Sequence, residues 1–172
     1  MSSHSQPIAK VTGSLRRMDD RAGAIRVECE YDTTVEDLWE AITRPDRLSR
    51  WIATVTGELR VGGEVQARFT STWEGPGRIE VCEAPKHLLL TMASGTSEET
   101  VIEATIGATG AGARLVVEER GLPLGEIAAH GAGWQVHLED LGSYIAGRQL
   151  GEWRSRWIEL SPHYQQLGVE TA

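Results

Sequence analysis

From Ile25 to Tyr31 apolar and charged positions alternate: Ile25, Val27, Cys29 and Tyr31 against Arg26, Glu28 and Glu30. Alternate side chains share one face of a strand, so this stretch predicts a half-buried strand. It pairs with "VTGSLRR" through the turn-rich "MDDRAG". The period then changes. In "TTVEDLWEAIT" Val35, Leu38, Trp39 and Ile42 form one helical stripe, and Thr33 with Glu36 has capping-box spacing. Pro45 opens a second, short helix, "PDRLSRWI".

From Ala53 the alternation returns in "ATVTGELR", "EVQARFTSTW", "RIEVCEA", "HLLLTM", "EETVIEATI" and "RLVVEER". Glycine- and proline-rich breaks, "EGPG" and "GATGAGA" among them, read as the turns of an antiparallel meander. One face carries Val65, Ala67, Phe69, Ile79, Val81, Leu88, Leu90, Met92, Ile102, Ala104, Ile106, Leu115 and Val117. The other carries Gln66, Arg68, Arg78, Glu80, Glu103, Arg114 and Glu118, so the apolar face needs a cover. The cover is a long helix from Pro123 to about Gly147, with Ile127, Trp134, Leu138, Leu141 and Ile145 on its buried stripe. Gly131 and Gly133 each weaken that helix by up to about 1 kcal/mol relative to alanine. They either break it near 131–133 or let the helix and the sheet approach closely. "RQLGEWRSRWIELSPHYQQL" then predicts one more amphipathic helix on Trp153, Trp157 and Leu160, docked on the domain or forming a homodimer interface. Three segments follow: an arm over 1–23, a domain over 24–147 and an extension over 148–172.

Charge and composition narrow the partners. A net charge of -8 argues against a nucleic-acid surface. No apolar run reaches the roughly 18–20 residues of a membrane helix, and "MSSHSQPIAK" lacks a signal-peptide core, so a cytoplasmic protein is expected. Cys29 and Cys82 lie in strands and read as small core residues, with no disulfide and no zinc spacing.

Chemistry concentrates in "HGAGWQVHLEDLGSYIAG". His130 and His137 are seven residues apart, about 10 Å along a helix, too far to share a metal. No nucleophile elbow and no phosphate-cradling glycine loop occurs, so neither catalytic residues nor a cofactor is implied. His130, His137 and Tyr144 lie on one flank of the apolar stripe, about 60–90° from its centre, as candidate polar anchors or acid–base groups. Small inner positions, Ala67 and Ala104, leave room for a cavity walled by Phe69, Met92, Trp134, Leu138 and Leu141. Trp51 and Trp73 stand at its expected mouth.

The motifs "VEDLWEAITRPDRLSRWI", "LRVGGEVQARF", "GRIEVCEAPKHLLLTM" and "GAGWQVHLEDLGSYIAG" resemble the START/SRPBCC superfamily, the birch-pollen-allergen-like helix-grip fold. Within it they are most similar to the bacterial branch related to the activator of heat-shock protein 90 ATPase, with Leu38 where the family usually has valine. The resemblance spans about residues 24–147. It implies an α+β helix-grip fold, a curved antiparallel sheet with two short helices after its first strand and a long C-terminal helix across it. It also implies a ligand cavity, and the expected use of that cavity is binding a small hydrophobic or amphipathic molecule without chemistry. A cyclase, aromatase or hydrolase in the same cavity is the alternative, and a protein-interaction or cochaperone-like module the second. No signature catalytic residues are shared across this branch, so none are assigned.

Overall fold

The structure, a computed structural model, describes residues 9–171. Strands β1 (Thr12–Arg17) and β2 (Ala22–Tyr31) are followed by helices α1 (Val35–Thr43) and α2 (Pro45–Leu48). The meander is β3 (Ala53–Gly57), β4 (Glu64–Phe69), β5 (Glu74–Glu83), β6 (His87–Met92), β7 (Thr100–Ala108) and β8 (Ala113–Pro123). A 3-10 turn, Leu124–Glu126, leads into α3 (Ile127–Ile145), and α4 (Trp153–Gln166) and β9 (Val169–Glu170) close the chain. The sheet runs β3-β4-β5-β6-β7-β8-β2-β1-β9. Every pairing is antiparallel except β1 with β9, which is parallel. Register shifts at Gly23/Ala24 and Ile79/Val81 mark bulges, which bend the sheet toward α3. This is an α+β helix-grip architecture.

Four local expectations need correction. The cap of α1 is Thr34, whose hydroxyl accepts from the Asp37 N–H at 3.1 Å, one residue later than the Thr33/Glu36 spacing suggests. Thr33 instead donates to the Asp37 carboxylate at 2.6 Å, and Asp37 in turn holds Arg47 at 2.7 Å. "EGPG" is not a turn but the start of β5. The reversal lies at residues 70–73, where Thr72 has φ 78. A Cβ on Gly77 would lie 2.9 Å from Met92 Sδ, and one on Gly75 would lie 2.9 Å from the Trp73 ring. These glycines therefore serve close packing on the concave face. Cys82 is exposed and only Cys29 is buried, although the bulge at Ile79/Val81 sets Cys82 opposite Leu88. His137, expected on a flank, is 4% exposed, because α3 is enclosed from two sides.

The second enclosure is α4. Tyr164, 1% exposed, lies against Gly131 and Gly13, where any Cβ would run into its ring, and its hydroxyl donates to Gln135 Oε1 at 2.7 Å. Trp157 Nε1 donates to the Ala129 carbonyl at 2.9 Å. Arg156 binds Glu139 at 2.8 Å and the buried Asp140. The helix is thus continuous through Gly131 and Gly133, which admit α4. The core is aliphatic around Val27, Leu38, Val136, Leu138 and Leu141, all fully buried. Across the outer face Arg16, Glu118, Arg120, Glu103, His87 and Glu83 form a ladder of ion pairs. Among the described residues no helix is long and apolar enough to cross a membrane.

Candidate functional site

The residues singled out in the sequence separate into three places along α3. At its centre, period 3.6 brings Trp134 and His137 inward together, and the end of β4 brings Phe69 up to meet them. His137 lies 5.6 Å from Trp134 and 5.9 Å from Phe69 between ring centroids. Phe69 continues to Trp73 at 5.6 Å, edge to face, and His137 to Trp153 at 5.4 Å. Trp153 stacks on Trp157 at 6.0 Å. An unbroken track of rings therefore runs from the β4–β5 turn, under α3, to α4. Trp73 is 38% exposed at its outer end, and Phe69, Leu88 and Leu90 are half-buried although they lie on the concave face. Burial, with the Arg156 charge nearby, pulls the His137 imidazole down to about 3, so it is neutral in this site.

Toward the start of α3 a second cluster forms on Glu119, 7% exposed. Its carboxylate accepts from Trp134 Nε1 at 2.9 Å and Thr100 Oγ1 at 2.9 Å, and His130 Nδ1 lies at 3.4 Å. Burial opposes both charges, but their hydrogen bond and mutual attraction outweigh it. Glu119 is held below the usual carboxylate range and His130 above the usual imidazole value. Sequence reasoning missed Glu119. The signal was present: alternation continued from Leu115 and Val117 places it on the apolar face, and His130 and Trp134, four apart, reach one acceptor.

Tyr144 stands apart at the far end of α3. Its hydroxyl accepts from Arg47 Nε at 2.8 Å, and the guanidinium lies 5.4 Å from the ring centroid. It joins α3 to α2 and does not meet His130 or His137. Trp51 does not reach the mouth. It is 3% exposed and donates from Nε1 to the Ala41 carbonyl at 3.0 Å, pinning the α2 end to α1. Leu138 and Leu141 are wholly buried, and Met92 is buried beneath Gly77. Trp153, which touches His137 directly, was assigned in the sequence only to helix packing.

Two recesses, of about 450 and 250 Å³, lie mainly on the outer face, around Glu28, Glu30 and Arg114 and around Thr105, Gly107 and Val116. Neither lies between the sheet and α3, where aromatic side chains occupy the space. Among the described residues no three His, Cys, Asp or Glu side chains are grouped to hold a metal ion.

The fold is shared with CalU16 from Micromonospora echinospora, whose crystal structure superposes with a TM-score of 0.76 at 25% identity, covering 92% of this chain and 98% of that one. Its solution structure covers 97% of this chain at 24% identity and a TM-score of 0.76, so α4 has a counterpart there. CV1439 from Chromobacterium violaceum, at 20% identity and a TM-score of 0.61, covers 71% of this chain and 96% of its own. DynU16, described as a protein of the dynemicin biosynthetic locus, covers 72% of this chain and 47% of its own, at 22% identity and a TM-score of 0.66. No curated protein matches this chain. Residues 32–146, more than half of the sequence and the whole span from α1 to the end of α3, match the family described as activator of Hsp90 ATPase homolog 1-like protein, and the chain belongs to that family.

Proposed function

We propose that this protein binds a small hydrophobic or amphipathic molecule between the concave sheet face and α3, where the ligand takes space that aromatic side chains fill in this structure, and that it does so without chemistry. The observation that carries this reading is the ring track. Phe69 points to the inner face yet stays half-exposed, and Trp73 folds over Gly75 beside it. A completed core would hide such side chains. Apolar burial contributes about 25 cal/mol per Å², so a ligand that dried Phe69 and Trp73 would gain a few kcal/mol, by order of magnitude. His137, Trp134 and Phe69 form the walls, and membership of a family whose fold commonly encloses hydrophobic ligands supports the same choice.

Native mass spectrometry of the protein purified from its own host tests this. A co-purifying small molecule, whose removal changes the tryptophan emission, is the expected result. A protein that arrives bare, with emission and melting temperature unmoved by fatty-acyl, polyketide-like and aromatic compounds, overturns it.

A second reading, acid–base turnover in the same space, is favoured by one observation, the Glu119–His130 pair. A histidine oriented by a buried carboxylate is the arrangement that general-base catalysis uses. Turnover would show as a time-dependent mass change of the co-purifying ligand that Glu119→Gln stops.

A further inference from the structure

Among the described residues, two buried side-chain polar atoms have no hydrogen-bond partner, His137 Nδ1 and Trp153 Nε1. They belong to one contact, between rings tilted by 39°. An unpaired polar group in a protein interior costs about 1–3 kcal/mol, so two in one contact make it a poor fit. The rest of α4 fits well. Trp157, Arg156 and Tyr164 all have partners on α3, and β9 ties the end of the chain to β1. The N-terminal end of α4, ahead of Arg156, is different. It is entered through exposed residues 146–149, with Gly147 at φ 71, and its N-cap, Glu152, makes no side-chain capping bond. The body of α4 is anchored from Arg156 onward, while Trp153, at its first position, meets His137 in its least satisfied contact.

We infer that Trp153 is a displaceable plug occupying the ligand's place, and that the ligand replacing it is a flat aromatic molecule bearing a hydroxyl group that pairs with His137 Nδ1. The inference rests on the binding reading above and names its ligand class. The walls there are the His137 ring and the face of Trp157 on which Trp153 stacks, with Gly133 leaving room beside them, and they suit a planar apolar body. The polar atom they leave unpaired is Nδ1. A hydroxyl serves it in either tautomer, donating to its lone pair or accepting from its N–H. A carboxylate is disfavoured, because the imidazole is neutral and Arg156 is already committed to Glu139 and Asp140. Displacement also returns the Trp153 N–H to water, which offsets the loss of its ring contacts.

The test titrates the full chain with 2-naphthol and with naphthalene, reading affinity by fluorescence and the Trp153 indole N–H by NMR. The wild-type protein should bind 2-naphthol about tenfold tighter than naphthalene, the scale of one hydrogen bond. Saturation should move the Trp153 N–H resonance toward a solvent-exposed value. Trp153→Ala removes the competitor and should tighten 2-naphthol about tenfold. Trp153→Phe keeps the ring, loses the unsatisfied N–H and should weaken it, and this variant guards against a mere folding defect. His137→Phe should abolish the preference for the hydroxyl. An unmoved Trp153 resonance, unchanged or weaker binding to Trp153→Ala, or a preference that survives His137→Phe overturns the plug while leaving the binding reading intact. If neither probe binds any of these proteins, both fall together.

Discussion

Glu119 is a carboxylate where the alternation along β8 calls for an apolar side chain, and three donors on two other elements make it tolerable. Replacing it with alanine strands the Trp134 N–H and the Thr100 hydroxyl, for an expected loss of about 2–5 kcal/mol in urea denaturation. The signs of its pH dependence follow from the two shifts. His130 has a raised folded pKa, so its contribution is complete below its unfolded pKa and is lost as pH rises through the folded value. Glu119 has a lowered folded pKa, so its contribution is complete above its unfolded pKa and is lost as pH falls through the folded value. The wild-type advantage over Glu119→Gln in thermal melts should therefore be greatest between those limits and shrink on either side. His137 acts oppositely to His130. It stays neutral when folded but protonates when unfolded, so stability falls as pH drops from about 6.5 toward 3. His137→Phe should flatten that acid limb in melts recorded across the range. Both predictions depend on partners from other elements. His130 and His137 were visible as chemistry in the sequence, but which was charged and which neutral was not.

At the scale of elements, α3 carries the clearest contrast between propensity and packing. Alanine is a better helix former than glycine by up to about 1 kcal/mol, so Gly131→Ala should stabilise an isolated α3. In the folded protein the new methyl would lie 2.7 Å from Tyr164 Cδ1, and overpacking of this kind costs about 1–3 kcal/mol. A net fall in thermal stability is expected, reversed in sign when Tyr164 is also alanine, since the two sites are in contact. Arg156 tests the same interface electrostatically. Asp140, 2% exposed, loses its counter-charge in Arg156→Ala, and breaking a buried ion pair costs about 3–5 kcal/mol. A lowered urea midpoint checks it. The strands, the two short helices and the long helix were legible because each has its own period. The register of the α1 cap and the role of Gly75 and Gly77 were not. They follow from Asp37 meeting Arg47 and from Trp73 and Met92 lying over bare backbone, contacts that local pattern does not carry.

Taken whole, the molecule is a sheet and a helix gripping each other, with a second helix closing the open side. Removing residues 148–172 would uncover the glycine face of α3 and take away Trp153, Arg156 and Tyr164 at once. The truncated chain should melt lower than the full chain in calorimetry while binding 2-naphthol more tightly, because stability and occlusion come from the same segment. The sequence by itself determined the layers: alternation specified a one-sided sheet, and such a sheet must be covered by an amphipathic helix from the same chain. It also marked Phe69, Trp73, Trp134 and His137 as candidates, because aromatic and ionisable side chains on an apolar face are conspicuous wherever they occur. Only the tertiary structure decided how they group. It joined those four to Trp153 in one track, sent Trp51 into the core and Tyr144 to Arg47, and set Glu119 beneath His130. The physical reason is range: periodicity reports which way a side chain faces, whereas a site depends on what faces it from elements dozens of residues away.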